Sequence, residues 1–215
     1  MAWNFRLRAV IAGVAFAIGA FGGLSKAAPP AEPRFLTGQL LVAEPGMADP
    51  RFRQTVIFMV KHDDSGAFGL IVNKKLGPLP FAELLTNMRA DPDGVEGNVM
   101  VHYGGPVEPL RGFILHPADY TKSPLFAVNP LYSITFDPDI VRAIASARGP
   151  ARSILAIGYT GWSAGQLEQE LKRKDWVVAP ASDDLLFGSA YKTKWTRAYQ
   201  PVEKVTIGLV SLHSD

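Results

Sequence analysis

The sequence predicts one α/β domain built on a mixed sheet of about eight or nine strands. Its 215 residues are 47% hydrophobic and 20% charged, which is typical of a folded globular chain. Short runs rich in β-branched and aromatic residues alternate with segments whose apolar residues recur at helical spacing. Beyond residue 34 the chain has neither a repeat period nor an interdomain linker. We therefore expect a single domain.

The predicted strands are apolar runs bounded by glycine, proline or aspartate. They are 38–43, 55–62, 67–74, 99–105, 111–116, 125–136 with an interruption at Pro130, 152–160, 176–179 and 205–212. The turn at 63–66 joins two of these runs and predicts a hairpin. The runs 99–105 and 111–116 are predicted to be strands that flank the turn GPVEP.

The predicted helices are 79–90, 137–148, 163–174, 183–190 and 191–199. The first carries Phe81, Leu84, Leu85 and Met88 at helical spacing. Asp137 followed by Pro138 is typical of a helix start, with aspartate as the cap and proline at the first helical position.

The first 27 residues predict a signal peptide or membrane anchor. A basic start with Arg6 and Arg8 precedes the uncharged apolar run 9–24, and small residues precede Ala28. Residues 28–34 form a proline-rich tether, and 35–215 form the domain. We expect the N-terminal segment to engage the membrane or the export machinery. The protein would then be periplasmic or anchored in the inner membrane, and the alternative is a cytoplasmic protein.

Charge and cysteine content exclude several classes of function. Without residues 1–27, 19 basic and 20 acidic residues remain, which disfavours direct nucleic-acid binding. The absence of cysteine excludes disulfides, thiolate metal sites and a cysteine nucleophile. His62, His102 and His116 at predicted strand ends leave a metal site open as an alternative, but we predict no metal and no cofactor.

The pentapeptide at 161–165 fits G-x-S-x-G, the nucleophile elbow of many esterases. Ser163, Asp183 and His213 follow one another in the chain order that such a triad needs. The competing interpretation is a helix cap, because Ser163 and Gln166 spell a capping box. In that box the Ser163 hydroxyl accepts from the Gln166 N–H, and the Gln166 side chain reaches back to Ser163.

The cap interpretation explains the rest of this segment. Trp162 and Leu167 have the spacing of a hydrophobic staple. Two i,i+4 pairs, Glu168 with Lys172 and Glu170 with Lys174, are expected on the exposed face. We favour the cap over the nucleophile.

The pair Gly104–Gly105 also allows two interpretations. Its backbone N–H groups can form an anion nest with Arg111 as the counter-charge. Alternatively, Gly-Gly-Pro is a simple turn between strands, which we favour because no phosphate-binding motif accompanies it.

Five segments in this order resemble the AlgH/YqgE family. They are the sequences 38–74, 104–116, 158–171, 176–187 and 194–199, and the resemblance extends from about Phe35 to near the end of the chain. It implies a single α/β domain whose strongly bent mixed sheet forms a pseudo-barrel with helices packed outside. The biochemical activity of the family, named for a regulator of alginate production, is not established. This chain departs from the family pattern in its leader and in Ser163, where glycine is common.

We therefore predict a non-catalytic regulatory or binding protein whose partner is an unknown small molecule or protein. Glycine- and aromatic-rich loops at strand ends are the candidate ligand groove. Its residues are Pro45, Gly46, Met47, Asp49, Gly104, Gly105, Pro106, Arg111, Tyr159, Gly161 and Trp162. Two alternatives remain: these loops only build the corners of the pseudo-barrel, or the protein is a small exported serine hydrolase. A third is a scaffold with an exposed apolar patch.

Overall fold

A computed structural model describes residues 34–122 and 126–200 of the chain. The predicted leader 1–27, residues 28–33 of the tether and the predicted strand 205–212 lie outside this part. Within it no helix is long and apolar enough to cross a membrane.

Ten strands and four helices are assigned in the described residues. The strands are β1 Gln39–Ala43, β2 Val56–Asp63, β3 Gly66–Ile71, β4 Lys75–Pro80, β5 Asn98–Tyr103, β6 Val107–Pro117, β7 Phe126–Ala127, β8 Tyr132–Thr135, β9 Ile154–Ser163 and β10 Trp176–Pro180. The helices are α1 Phe81–Asn87, α2 Pro138–Ala145, α3 Gln166–Lys172 and α4 Asp183–Phe187. Residues 191–200 are also helical, as predicted for 191–199.

The strands form one mixed sheet that curls into a half-barrel, which confirms the predicted fold class. Its main order is β10-β1-β2-β3-β9-β6-β8-β7, with β5 joining β4 to β9. The long strand β9 pairs with β5 near its start and with β3 at its end, while β6 pairs with it as well. Because β9 has two successive partners on one edge, the sheet divides there and bends.

The hairpin of β2 and β3 is confirmed, with Asp63 paired to Gly66. Both runs that flank the turn GPVEP are strands, β5 and β6, but they do not pair with each other because β9 lies between them. The segment Gly104–Gly105, which connects β5 to β6, packs against the backbone of β9, and we call this contact the crossing. A Cβ atom on Gly104 would lie 2.2 Å from the carbonyl oxygen of Gly158, so only glycine permits this crossing.

Strand β4 was not predicted, because Pro78 and Pro80 argue against a strand. Among the described strands it pairs with β5 alone and so lies at an edge, a position where proline is tolerated since one side of the strand needs no ladder hydrogen bond.

The core alternates between the two faces of β1, β2 and β3. Leu40, Phe58 and Leu70 pack on one face, where the helix 191–200 contributes Ala198. Leu41 and Ile57 pack on the other face, where α3 lies. Helices α1 and α2 cover a third cluster against β5, β6 and β9. Strands β1, β2 and β3 are therefore buried on both faces, which explains their near-continuous apolar sequences.

Candidate functional site

An open groove of about 540 Å³ lies where β3, β6 and β9 meet. We call it the aromatic groove. It is lined by Lys61, Ser65, Gly66, Ala67, Phe68, Val107, Arg111, Phe113, Tyr159, Gly161, Trp162 and Ser163. Four of these residues belong to the predicted groove: Arg111, Tyr159, Gly161 and Trp162.

Three aromatic rings pack against one another in this groove. The ring of Tyr159 meets those of Phe68 and Phe113 edge-on, with centroids 5.7 and 6.1 Å apart. Phe68 and Phe113 themselves are 6.4 Å apart. Phe113 is buried, whereas Phe68 and Tyr159 are half-buried and offer apolar surface to the groove. Such a wall suits the apolar part of a ligand.

Two cations stand at the rim, and each has an acidic partner. Arg111 Nη1 donates to Glu108 Oε2 at 3.1 Å, and the hydroxyl of Tyr159 donates to Glu108 Oε1 at 3.2 Å. Burial raises the pKa of Tyr159, and the Glu108 charge adds to this effect. The guanidinium carbon of Arg111 also lies 5.3 Å from the ring centroid of Phe113. Glu108 thus contacts both Arg111 and Tyr159.

The second cation is Lys61, whose Nζ lies 2.8 Å from Asp63 Oδ2. Hydrogen bonds from Lys61 and Ser65 lower the pKa of Asp63 to about 2. Both ion pairs are exposed to solvent and can exchange partners at little cost, because pairs in water are weakly held.

A large bulge in β6 places Arg111 at the groove. Val107 pairs with Tyr159 and Gly112 with Ile157, so the six residues 107–112 of β6 stand against only three residues of β9, 157–159. Glu108 has φ 45° in this bulge, and the surplus residues bend out of the sheet. Neighbouring Leu110 is 96% exposed as a result.

A second hollow, of about 300 Å³, lies beside the groove and shares Gly161 and Trp162 with it. Met47 and Asp49 of the predicted groove line this hollow. Asp49 accepts from the backbone N–H of Arg51 at 2.9 Å and pairs with its guanidinium. Those hydrogen bonds lower the pKa of Asp49.

The remaining predicted groove residues line neither hollow. Pro45 and Gly46 lie in the exposed loop before Met47, and Pro106 follows the crossing. Gly104 and Gly105 are buried, and a Cβ on Gly105 would lie 2.2 Å from the backbone of Tyr159. The N–H of Gly104 donates to the carbonyl of Ile157 at 2.8 Å. These two glycines therefore build the crossing, and Gly104 gives no free donor to an anion nest.

Ser163 is the last residue of β9, and the predicted capping box is only half formed. Gln166 Oε1 accepts from the backbone N–H of Ser163 at 3.1 Å, as expected. Gly165, in the left-handed conformation at φ 75°, is the N-cap instead of Ser163, and no side chain caps the helix. The chain turns at Gly165, so α3 starts later than the predicted 163 and the serine hydroxyl is not the cap.

The expected exposed pair of Glu170 with Lys174 is also wrong. Glu170 Oε2 accepts from the indole N–H groups of Trp162 and Trp176, each at 2.8 Å. The two rings meet at 80° with centroids 6.2 Å apart. Lys174 adopts φ 61°, past the end of α3, so it no longer shares a helix face with Glu170.

Glu168 likewise turns inward, toward His62 Nε2 at 3.0 Å. Hydrogen bonding, first to backbone and then to His62, lowers the pKa of Glu168, with a smaller contribution from Lys172.

The hydrolase residues are not brought together in the described chain. Asp183 accepts from the Tyr132 hydroxyl at 3.0 Å and pairs with Arg152 at 2.8 Å, just before β9 begins. Ser163 stands at the other end of β9. His213 lies outside the described residues. Ser163 nevertheless lines the aromatic groove.

The three other histidines are buried, each with its own partners. His62 Nδ1 accepts from Leu36 N–H at 3.1 Å, and His116 lies 2.9 Å from the Thr135 hydroxyl. His102 Nδ1 lies 3.3 Å from the carbonyl of Leu155. In the described part of the chain no three His, Asp or Glu side chains are grouped to hold a metal ion.

Sequence reasoning missed Phe68, Phe113 and Glu170. The two phenylalanines were placed on strands, but which face they occupy depends on pairing with β9, far away in the chain. The signal for Glu170 was present, since Trp162 and Trp176 flank α3 and buried indoles need an acceptor.

The AlgH-like family model matches residues 40–205. A UPF0301 protein of Rhodospirillum rubrum is 44% identical over 164 residues, covering 76% of this chain and 85% of its own. A UPF0301 protein of Afipia carboxidovorans is 39% identical over 197 residues, covering 88% and 93%.

Two solved structures share the fold. The solution structure of the AlgH protein from Pseudomonas aeruginosa has a TM-score of 0.67 and 34% identity, over 87% of this chain and 99% of that one. A Corynebacterium diphtheriae protein has a TM-score of 0.58 at 21% identity, over 79% and 87%, which supports the fold alone. The curled half-barrel, the family match and the relatives together show that the chain belongs to the AlgH-like, UPF0301 family.

Proposed function

We propose that the protein is a non-catalytic regulatory protein that binds a small ligand in the aromatic groove. The observation that carries the proposal is the packed trio Phe68, Phe113 and Tyr159, open to solvent on one side with Lys61 and Arg111 at the rim. An apolar surface bordered by a few polar groups is the usual composition of a small-molecule site. The ligand class that fits is a molecule with a flat apolar part and an acidic group.

Ligand binding would exchange partners at the rim. The acidic group would compete with Glu108 for Arg111 or with Asp63 for Lys61, and both existing pairs are solvent-exposed. The apolar part would cover Phe68 and Tyr159. Trp162 lines the same groove, so its fluorescence reports occupancy.

The test is a titration of the full chain with pooled metabolites, followed by tryptophan fluorescence and thermal shift. Arg111→Gln should weaken binding by about tenfold through loss of one charge contact. Arg142→Gln is the matched control, because Arg142 also forms a solvent-accessible i,i+3 pair, with Asp139 on α2, and lines neither the aromatic groove nor the hollow beside it. Absence of any response, or equal losses of binding in both variants, would contradict the proposal. Either result would favour the alternative that these loops only build the corners of the pseudo-barrel.

The serine hydrolase remains a second candidate because exposed Ser163 lines the groove. A fluorophosphonate probe tests it directly. Labelling that disappears in Ser163→Ala and in His213→Gln supports a hydrolase, whereas a chain that stays unlabelled removes this candidate.

We also propose that the N-terminal segment directs export, so that the domain acts outside the cytoplasm. The supporting observations are the basic start and the apolar run 9–24. Localisation of a C-terminally tagged chain with N-terminal sequencing tests this. A mature start at Ala28 in the periplasmic fraction is the expected result, and an intact cytoplasmic chain contradicts it.

A further inference from the structure

Apart from the aromatic groove and the hollow beside it, the structure has a separate pocket of about 540 Å³. This pocket shares no lining residue with the aromatic groove. It lies between the segment that joins β3 to β4 and the start of the helix 191–200. Asn73, Lys75 and residues 189–193 line it, and we call it the basic pocket. An adjoining hollow of about 240 Å³ shares Asn73, Tyr191 and Lys192 with it. The adjoining hollow also contains Arg53 and Lys74.

The charges around these two hollows are of one sign. Neither lining set contains an aspartate or a glutamate. Lys75, Lys192 and Lys194 form no ion pair in the described part of the chain. Among the residues that the structure describes, these three ammonium groups therefore have no acidic ion-pair partner.

The ring of Tyr191 organises two of these cations. Lys75 Nζ lies 3.8 Å from the ring centroid, and Lys194 Nζ lies 4.5 Å from it. Both distances are those of cation–π contacts, which hold an ammonium without neutralising its charge. Tyr191 lines the pocket, so positive charge is concentrated at its wall.

Lys194 extends this charge into the interior. Its side chain is fully buried, and Nζ donates to the carbonyls of Val72 at 3.2 Å and Leu186 at 2.5 Å. Burial, and then repulsion from Lys75, lower the pKa of Lys194 to about 8. At neutral pH it remains largely protonated, so the buried charge persists beneath Tyr191.

His102 lies against the same ring and is kept neutral. Its ring centroid lies 5.2 Å from that of Tyr191. Burial is the main cause that lowers the pKa of His102 to about 4, and the charges of Lys194 and Lys75 lower it further. Its buried Nε2 has no hydrogen-bond partner in the described residues. The neutral imidazole of His102 therefore adds no charge of its own and does not neutralise the charges of Lys75 and Lys194.

We propose that the basic pocket binds a phosphorylated small molecule, with the phosphate between Lys75 and Lys192 at the wall formed by Tyr191. Lysine ammonium groups act on phosphate as mobile point charges with three donors each. A dianion would balance the charges of Lys75 and Lys192 and would also offset the repulsion between Lys75 and Lys194. The pocket holds more than inorganic phosphate, so the organic part of the ligand has room.

Asn73 fixes the pocket wall rather than recognising the ligand. Its Oδ1 accepts from Val56 N–H at 2.9 Å, and its Nδ2 donates to the Gln54 carbonyl at 2.8 Å. Recognition of the phosphate therefore depends on the lysines, and their substitution is the informative perturbation.

The experiment is calorimetric titration of the full chain at neutral pH with inorganic phosphate and with glycerol 3-phosphate, using glycerol as the uncharged probe. Lys75→Gln and Lys192→Gln should each weaken glycerol 3-phosphate binding by about tenfold. Lys172→Gln is the matched control, because Lys172 is exposed on α3 and lines neither hollow. Circular dichroism confirms that each variant is folded.

A second readout follows Lys194 by side-chain NMR. Bound phosphate should raise the pKa of Lys194 from about 8, because the added negative charge favours the ammonium form. Three results would overturn the proposal: no binding at about 10 mM phosphate ester, equal losses in the control variant, or binding of an RNA oligomer alone. The aromatic groove is unaffected by Lys75→Gln, so failure here leaves the proposed function standing.

Discussion

Glu170→Ala removes the acceptor that holds two tryptophans. In the wild-type chain Trp162 and Trp176 are 8% and 5% exposed, and both indole N–H groups donate to Glu170 Oε2 at 2.8 Å. Gln166 Nε2 donates to the other carboxylate oxygen at 2.9 Å. The substitution leaves both indole donors without this partner and releases Gln166.

The expected loss of unfolding free energy is about 2–3 kcal/mol. A hydrogen bond to a charged group contributes about 1.5–3 kcal/mol net. Two such bonds do not add fully here, because they share one oxygen of a half-buried carboxylate. Alanine regains a few tenths of a kcal/mol, about 0.3, through helix propensity. Glu170→Gln keeps a neutral acceptor, so its loss should be smaller, about 1 kcal/mol.

Urea unfolding followed by far-UV circular dichroism measures the change. With an m-value of about 2 kcal/mol/M, the midpoint of Glu170→Ala should fall by roughly 1–1.5 M. Gln169→Ala is the matched control, since Gln169 is exposed on the same helix and should stay within about 0.5 kcal/mol of wild type. If Glu170→Ala also stays within that range, the carboxylate does not hold the two indoles.

Four further predictions use the same denaturation assay. Gly105→Ala should cost more than about 3 kcal/mol, because its Cβ meets the backbone of β9, whereas Gly46→Ala has open space and should be neutral. Stability should fall as pH drops from 6.5 toward 4, because only the unfolded state protonates His102 there, and His102→Gln should flatten this slope. Stability should rise from pH 8 to 10.5, because the folded state releases the Lys194 proton first; a falling curve contradicts the buried charge. Leu110→Ser should change stability by less than about 0.5 kcal/mol, since Leu110 is 96% exposed.

Local chemistry made most elements predictable. Asp137 caps α2 by accepting from the Asp139 N–H, and the Gly-containing turn closes the hairpin of β2 and β3. Strand pairing was not predictable, because Tyr103 meets Ile157 across a long stretch of intervening chain. No local pattern says that β9 enters between β5 and β6. For the same reason the sequence placed Tyr159 at the site but missed Phe68 and Phe113, whose orientation depends on that pairing.

The glycines in the predicted groove identify the fold more than the ligand. Gly104 and Gly105 cross the backbone at Gly158, which adopts φ 69°, and all three sites exclude a Cβ for steric reasons. A chain that keeps these glycines keeps the bend of β9 and therefore the hollow beside it. The bend does not dictate which side chains stand at the rim. Lys61 reaches the groove from near the end of β2 and Arg111 from the bulge of β6, and nothing in the crossing requires a cation at either position. The steric demands of the crossing therefore shape the hollow, whereas the charge at its rim is set by residues that the crossing does not constrain.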